Sequence, residues 1–223
     1  MTATTVTTPD RSTVQTLVRA WIEGWIVSRG TSDPIDRPWG WTIDAGQVNH
    51  VSRHVLPAPA EADVRALVAA TSAPGTWLKL FADDDTVRPW IGAGWQFDEP
   101  GFLMTLPLTA EKPAVPAGYT LTSWTRGGVT RVLVRTVEGH FAARGQVAPT
   151  GPTAVADQIE TAPGHQRRGL GSLVMRTLQN TAHEAGATTG ILVGTPQGRS
   201  LYTALGWHTR APMASLYFSP ARD

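Results

Sequence analysis

Pro163-Gly164-His165-Gln166-Arg167-Arg168-Gly169-Leu170-Gly171-Ser172 decides how this chain is read. Before it, Thr153 to Thr161 has the apolar content of a strand. After it, Leu170, Leu173, Val174 and Leu178 recur at helical spacing through about Ala185, and Gly186 supplies a C-terminal stop. A strand, a Gly- and Arg-rich loop and then a helix present several backbone N–H groups to an anion. The first four N–H groups of a helix lack intrahelical partners and carry partial positive charge, so a pyrophosphate is stabilised there. Gly169 and Gly171 let a ligand approach the backbone, and Arg167 and Arg168 add charge. No Gly-Lys-Ser/Thr follows and the spacing is not Gly-x-Gly-x-x-Gly, so the Walker and dinucleotide loops are excluded.

Working outward, Tyr119–Trp124, Arg131–Val137 and His140–Val147 read as strands, with Glu138-Gly139 as a hairpin turn. Downstream, Thr189–Val193 reads as a strand, Arg199–Leu205 as a short helix and Met213–Phe218 as the last strand. The fold class is α+β: a mixed, largely antiparallel sheet flanked by helices.

Upstream, Ser12 with Gln15 forms a capping box ahead of Val14, Leu17, Val18, Trp21, Ile22, Trp25 and Ile26, an amphipathic helix ending at Gly30. Trp39–Asp44 and Val48–Leu56 read as strands around Ala45-Gly46. A helix spans Ala60 to about Thr71, Trp77–Phe81 is a strand, Val87–Ala93 a short helix and Phe102–Leu106 a strand. The Pro- and Ala-rich segment 109–117 reads as a linker. The expected organisation is a disordered tail over 1–11, a first half over 12–108, the linker, and a second half over 118–223 that carries the glycine loop.

Aligning Gly94-Trp95 with Gly206-Trp207 places Trp90 on Tyr202 and Met104 on Leu216, and brings Trp77-Leu78-Lys79-Leu80 near Gly190-Ile191-Leu192-Val193. Both halves then read strand, short helix, Gly-Trp, strand. The first half carries Leu56-Pro57-Ala58-Pro59 where the second has its glycine loop, so only the second copy keeps an anion site.

Composition narrows the chemistry. The 223 residues are 41% hydrophobic and 17% charged, the balance of a chain that buries a core. A formal net charge of +1 gives no broad field toward nucleic acid or an anionic membrane. The sequence has no cysteine, which removes disulfides, thiolate metal sites and thiol nucleophiles and fits a reducing cytoplasm. Met1 to Asp10 lacks the basic-then-apolar order of a signal peptide, and no apolar run approaches the ~20 residues that span a bilayer. A monomer and a homodimer are equally compatible with this composition.

The loop resembles motif A of the GNAT superfamily of N-acetyltransferases, whose pattern Arg/Gln-x-x-Gly-x-Gly/Ala stands complete as Gln166, Gly169 and Gly171. Ser200-Leu201-Tyr202-Thr203-Ala204-Leu205-Gly206-Trp207 follows in the order and spacing of that family, and the resemblance covers roughly Tyr119 to Phe218. It implies a GNAT-like fold, with the first half a degenerate GNAT-like copy. It also implies acetyl-CoA as co-substrate, a small amine acceptor and no metal. By the same resemblance the strand end at Ile159, Glu160, Thr161 and Ala162 splays from its neighbour to bind the pantetheine arm. Gln166, Arg167, Arg168, Gly169, Leu170, Gly171 and Ser172 hold the pyrophosphate, and Tyr202 lies beside the sulfur as general acid. One departure stands out: family members carry two helices between their first and second strands, where this chain has only Thr125–Thr130. The N-terminal region is expected to supply that missing wall of the acceptor site.

Acetyl transfer to an amine needs a neutral amine, a stabilised oxyanion and a proton for the departing thiolate. Glu160 and Asp157 are the candidate bases, with a water-mediated route as the alternative; Tyr202 is otherwise a packing tyrosine. His140 opens a strand that could face the acceptor, and His183 sits at a helix C-terminus where the dipole favours it. His50 and His54 fall in an extended segment, on one face but too far apart to chelate easily. Asp83-Asp84-Asp85 reads as a solvated turn, lacking the Gly and Glu spacing of a calcium loop. Seven of the nine tryptophans precede the linker and are assigned mainly to core, with a minority left to line an acceptor pocket. The reading from a different class is a non-catalytic acyl-CoA-binding or regulatory module.

Overall fold

The structure, a computed structural model, describes residues 11–220. The tail expected over 1–11 lies outside the described residues, apart from the Arg11 backbone. In chain order the elements are α1 (Arg11–Arg29), β1 (Ile35–Arg37), β2 (Gly40–Gln47), β3 (His50–Leu56), α2 (Glu61–Ala70), β4 (Thr76–Leu80), α3 (Asp84–Val87), β5 (Trp95–Phe97) and β6 (Gly101–Pro107). After the linker come β7 (Tyr119–Arg126), β8 (Val129–Thr136), β9 (Phe141–Thr150), β10 (Thr153–Thr161), α4 (Leu170–Glu184), β11 (Thr189–Gly194), α5 (Pro196–Ala204) and β12 (His208–Phe218).

All strands join one sheet in the order β1-β2-β3-β4-β12-β6-β11-β10-β9-β8-β7, with β5 also pairing β12. Neighbours are antiparallel except β3–β4 and β10–β11, which α2 and α4 connect as crossovers. The linker divides the chain but not the sheet: β6, from before it, lies between β11 and β12, both from after it.

The sequence repeat is written into the strand pairing. Gly101 pairs with Met213, 112 residues further on. The same offset converts Thr105↔His208 and Met104↔Thr209 into Gln96↔Tyr217 and Phe97↔Leu216, which are observed pairs. Leu78↔Leu216 and Lys79↔Ser215 on one side match Leu192↔Met104 and Val193↔Leu103 on the other, with an offset of 112 between β6 and β12 and of 114 between β4 and β11. A local twofold therefore passes between β6 and β12, and each half lends its last strand to the other.

Helix α1 packs on one face of the sheet. Val18, Trp21, Ile22 and Trp25 follow the i, i+3, i+4, i+7 rule and are buried with Ile43, Val55, Leu103, Val155 and Ile191. Each such side chain contributes about 1.5–3 kcal/mol on full burial. Gly24 brings the helix onto β10: a Cβ there would lie 2.3 Å from Val155 Cγ2. On the opposite face α4 buries Leu170, Leu173, Val174 and Leu178 against β8–β10, α2 and α3 cover Leu56, Leu78 and Leu80, and α5 covers Met104 and Leu192.

Four local expectations are corrected. Ser12 lies inside α1 and not ahead of it, so it is not the N-cap of a box. The helix expected over Val87–Ala93 is α3 followed by a single 3₁₀ turn at Arg88–Trp90, because Pro89 removes a helix donor. Gly46 (φ 66°) does not separate two strands but sits in a bulge of β2 between Asp44 and Gln47. His50 and His54 lie on opposite faces. His50 stacks near Trp25 and Trp77 under α1, whereas His54 meets Trp39 and Thr42. His50 is the first residue of its strand and takes its direction from the preceding turn, out of phase with the pleat.

Candidate active site

The ladder between β10 and β11 runs from Thr153↔Thr189 only to Val155↔Ile191, although β10 continues to Thr161 and β11 to Gly194. The cause is a bulge: Gln158 adopts φ 55° and the register with β9 shifts between Asp157 and Glu160. Past Val155 the two strands part, leaving backbone groups facing a gap. The first half has no such gap, since β3 and β4 pair through Leu56↔Leu80 and Phe81 N–H donates to Leu56 O at 3.0 Å.

At the end of β10, Pro163–His165 form a 3₁₀ turn, Arg167 takes φ 61° and Gly169 takes φ 78° as the residue before α4. No side chain caps the helix, and its first internal bond is Leu173 N–H to Gly169 O at 2.9 Å. The N–H groups of Leu170, Gly171 and Ser172 therefore lack intrahelical acceptors. Gln166, Arg167, Arg168 and Gly169 are exposed. The Leu170 side chain is core, so that residue can offer a ligand only backbone. Arg168 Nη1 donates to the Tyr119 hydroxyl at 3.2 Å, which meets His165 Nδ1 at 3.0 Å. Gly171 allows α4 to start against α5, as a Cβ would lie 2.9 Å from Leu201 Cδ2 and 3.7 Å from Thr161 Oγ1.

The four strand-end residues divide. Ile159 turns into the α4 core, and Thr161 is half-buried beside Gly171. Both backbone groups of Ala162 are spent within the protein, its N–H on Ala142 O at 2.9 Å and its carbonyl on His165 N–H at 2.8 Å. Glu160 is half-exposed and accepts from Arg144 Nε at 2.8 Å.

Tyr202 is buried on α5, its ring packed on Gly194 and Gly198, where a Cβ would come within 2.7 Å and 2.9 Å of the ring. Its hydroxyl makes no hydrogen bond to the described residues. Burial, and then the Asp157 charge, push its pKa up to about 12. Asp157 comes from the α1 side of the sheet and is tightly held. It accepts from Arg29 Nε at 2.5 Å, Arg29 Nη2 and Ser28 Oγ at 2.8 Å each, and the Gln158 N–H at 2.9 Å. Gln146 Nε2 donates to Ser28 O at 2.8 Å. The C-terminal end of α1 is thereby fastened beside the gap. His140 and His183 lie apart from this constellation, at a hairpin and at the end of α4.

The sequence reading missed a cationic group on the same face. Arg53 is 7% exposed, its guanidinium 3.9 Å above the Trp25 ring, and its only hydrogen bond among the described residues is Nε to His50 Nε2 at 3.2 Å. Lys79, also 7% exposed, lies 4.3 Å from the Trp77 ring and hydrogen-bonds Ser215 Oγ. Burial first, then Arg53, Lys79 and Arg29, lower the His50 pKa to about 3. Burial likewise lowers Lys79 well below the usual lysine value, and Arg53 to about 9. A charged residue at a core-facing strand position was the available signal, in Ser52-Arg53-His54 and Leu78-Lys79-Leu80.

Among the described residues no three His, Cys, Asp or Glu side chains group as metal ligands, and no helix is long and apolar enough to cross a membrane.

No curated protein matches the chain by sequence. Among solved structures it resembles a GCN5-related N-acetyltransferase from Kribbella flavida, with TM-score 0.65 and 17% identity over 94% of this chain and 96% of that one. It also resembles a GCN5-related N-acetyltransferase-like protein from Streptococcus suis, with TM-score 0.58 and 11% identity over 94% of this chain and all of that one. At these identities the likeness is one of fold. A family model, Acetyltransferase (GNAT) family, matches residues 95–207, just over half of the chain and including β6 from before the linker. With that match laid over the parted strands and the open start of α4, the chain belongs to the GNAT acetyltransferase family.

Proposed function

We propose that the protein is an N-acetyltransferase that moves an acetyl group from acetyl-CoA to a primary amine of a small molecule or amino acid, acting in the cytoplasm. The observation that carries this reading is the gap between β10 and β11, which ends at an uncapped helix start bearing Gly169 and Gly171 and has Tyr202 buried against it.

Acetyl-CoA supplies the acyl carbon and the leaving thiolate. The N–H groups of Leu170, Gly171 and Ser172, with Arg167, bind the pyrophosphate, and the strand edges at Ile159–Thr161 guide the pantetheine arm. The amine nitrogen forms a bond to the acyl carbon, the C–S bond breaks, and one proton passes from nitrogen to sulfur. Tyr202 gives its hydroxyl proton to the sulfur and is replenished by the proton the amine sheds. Desolvation that raises the phenol raises the proton affinity of a thiolate leaving into the same gap, so the donor and acceptor remain matched. Asp157, with its oxygens engaged, positions α1; Glu160, open to solvent, takes the ammonium proton directly or through water. The first half shapes the acceptor site through α1.

Calorimetric titration with acetyl-CoA, followed by thiol release over an amine panel, tests the reading. Binding with release on at least one amine is expected; no binding overturns it. The engagement of both Asp157 and Glu160 by arginines favours one other reading, a non-catalytic acyl-CoA-binding module, for which binding would occur without release on any amine.

A further inference from the structure

The local twofold identifies what the fold requires at each position of its two halves. Through the pairings Arg53↔Trp77 and Val155↔Ile191, and Trp77↔Tyr217 and Ile191↔Thr105, Arg53 corresponds to Val155. By the same logic Lys79 corresponds to Val193. The architecture thus places valine where the first half buries an arginine and a lysine. Burying two cations is costly unless they are paired, and neither forms an ion pair among the described residues. Arg53 keeps both terminal nitrogens without an acceptor. Lys79 has one hydroxyl partner for three donors, and that Ser215 hydroxyl in turn donates to Asp98 at 3.4 Å, so the Asp98 charge reaches Lys79 only through it. Neutral His50 accepts from Arg53 Nε, so it is not a counter-charge. Asp157, whose charge does reach Arg53, is already clamped by Arg29.

The location gives these cations a use. Trp25 carries Arg53 at 3.9 Å and Arg29 at 6.0 Å from its ring, so the unpaired guanidinium lies one indole away from the Arg29–Asp157 clamp at the gap. Arg53 stands at the middle of β3, and Lys79, which pairs with Val55, lies diagonally across from it on the neighbouring strand.

We propose that the acceptor carries a carboxylate as well as its amine, and that Arg53 and Lys79 bind that carboxylate on the α1 face while the amine points to the gap between β10 and β11. Resting on the acetyl-transfer reading, this narrows the acceptor to an amino acid or a similar amino-carboxylate. Arginine's planar fork suits bidentate carboxylate recognition.

The test uses the full chain and matched probes. Acetate, succinate, 3-phenylpropionate and indole-3-propionate are titrated against their neutral amides, and phenylalanine and tryptophan are compared with phenethylamine and tryptamine in thiol release. At least one carboxylate is expected to bind ten-fold or more tightly than its amide, and the amino acids to exceed the simple amines ten-fold or more in kcat/KM. Arg53→Met should bring both ratios toward one and leave acetyl-CoA affinity unchanged. Replacing a buried charge with an apolar side chain of similar volume is commonly neutral or stabilising, and Lys79→Val, the residue of the corresponding position, is the second variant. Amides binding as well as every carboxylate, or ratios unmoved in both variants, overturn the proposal. If the simple amines are acetylated as well as the amino acids, acetyl transfer stands and the carboxylate site falls. Tight carboxylate binding without any acetyl-CoA binding has the opposite meaning.

Discussion

At the scale of single residues, Tyr202 and His50 show how burial sets chemistry. The Tyr202 hydroxyl stays protonated because burial and the Asp157 charge oppose its ionisation. It is therefore a donor at every working pH. Tyr202→Phe keeps the ring that packs on Gly194 and Gly198 and removes only that proton, so kcat in thiol release should fall by about 10²-fold or more with acetyl-CoA affinity retained. Wild-type turnover in that variant would end the general-acid assignment. His50 makes a stability statement. Its folded pKa, lowered to about 3, lies below the 6.5 of the free side chain, so between those values the unfolded chain binds a proton that the folded chain refuses. Stability contributed by neutral His50 is complete above about pH 6.5 and is lost as pH falls toward 3. Urea denaturation from pH 7.5 to 4 should show a steeper loss in the wild type than in His50→Gln. Parallel curves would show that His50 is not the group responsible.

At the scale of elements, α1 is where local sequence and tertiary contact pull in opposite directions. An alanine replacing a helix-interior glycine ordinarily stabilises by about 1 kcal/mol. Gly24→Ala should do the reverse, because its Cβ would lie 2.3 Å from Val155 Cγ2, 2.6 Å from Val155 Cβ and 3.3 Å from Ala148 O. Overpacking of this kind costs about 1–3 kcal/mol, which for a chain of this size lowers Tm by several degrees. An unchanged or raised Tm would show that α1 can ride up from β10 without loss. The helix itself was legible, since Val18, Trp21, Ile22 and Trp25 announce it by spacing, and so was the glycine loop ahead of α4, whose chemistry is local. The closeness of Gly24 to Val155 was not, since it joins residues 131 apart with no shared period. Nor was the face of His50. Alternation assigns a side only while the pleat keeps phase, and the turn before His50 and the bulge at Gly46 reset it.

At the scale of the whole molecule, the Gly-Trp repeat announced two similar halves, but the sharing of strands between them lay beyond reach of the sequence. Strand exchange leaves no local mark: β12 has the same alternation whether it pairs with β11 of its own half or, as observed, with β4 and β6. This arrangement makes a prediction about domains. Residues 118–223 alone retain β11 and β12 but lack β6, the strand that stands between them and hydrogen-bonds both. They also lose α1, whose Trp21, Ile22 and Trp25 cover Val155 and Ile191. Residues 1–108 alone retain β4 and β6 but lack β12, which joins them. Each fragment therefore exposes the edge of a strand pair and half of a buried cluster, a state that associates more readily than it folds. Neither fragment should show cooperative thermal unfolding on its own. Mixed in equal amounts, the two should regain helical circular dichroism and a single transition, because the missing strand of each is present in the other. A cooperatively folded, monomeric 118–223 fragment that binds acetyl-CoA would show that β6 is dispensable, and that the halves are ordinary tandem domains after all.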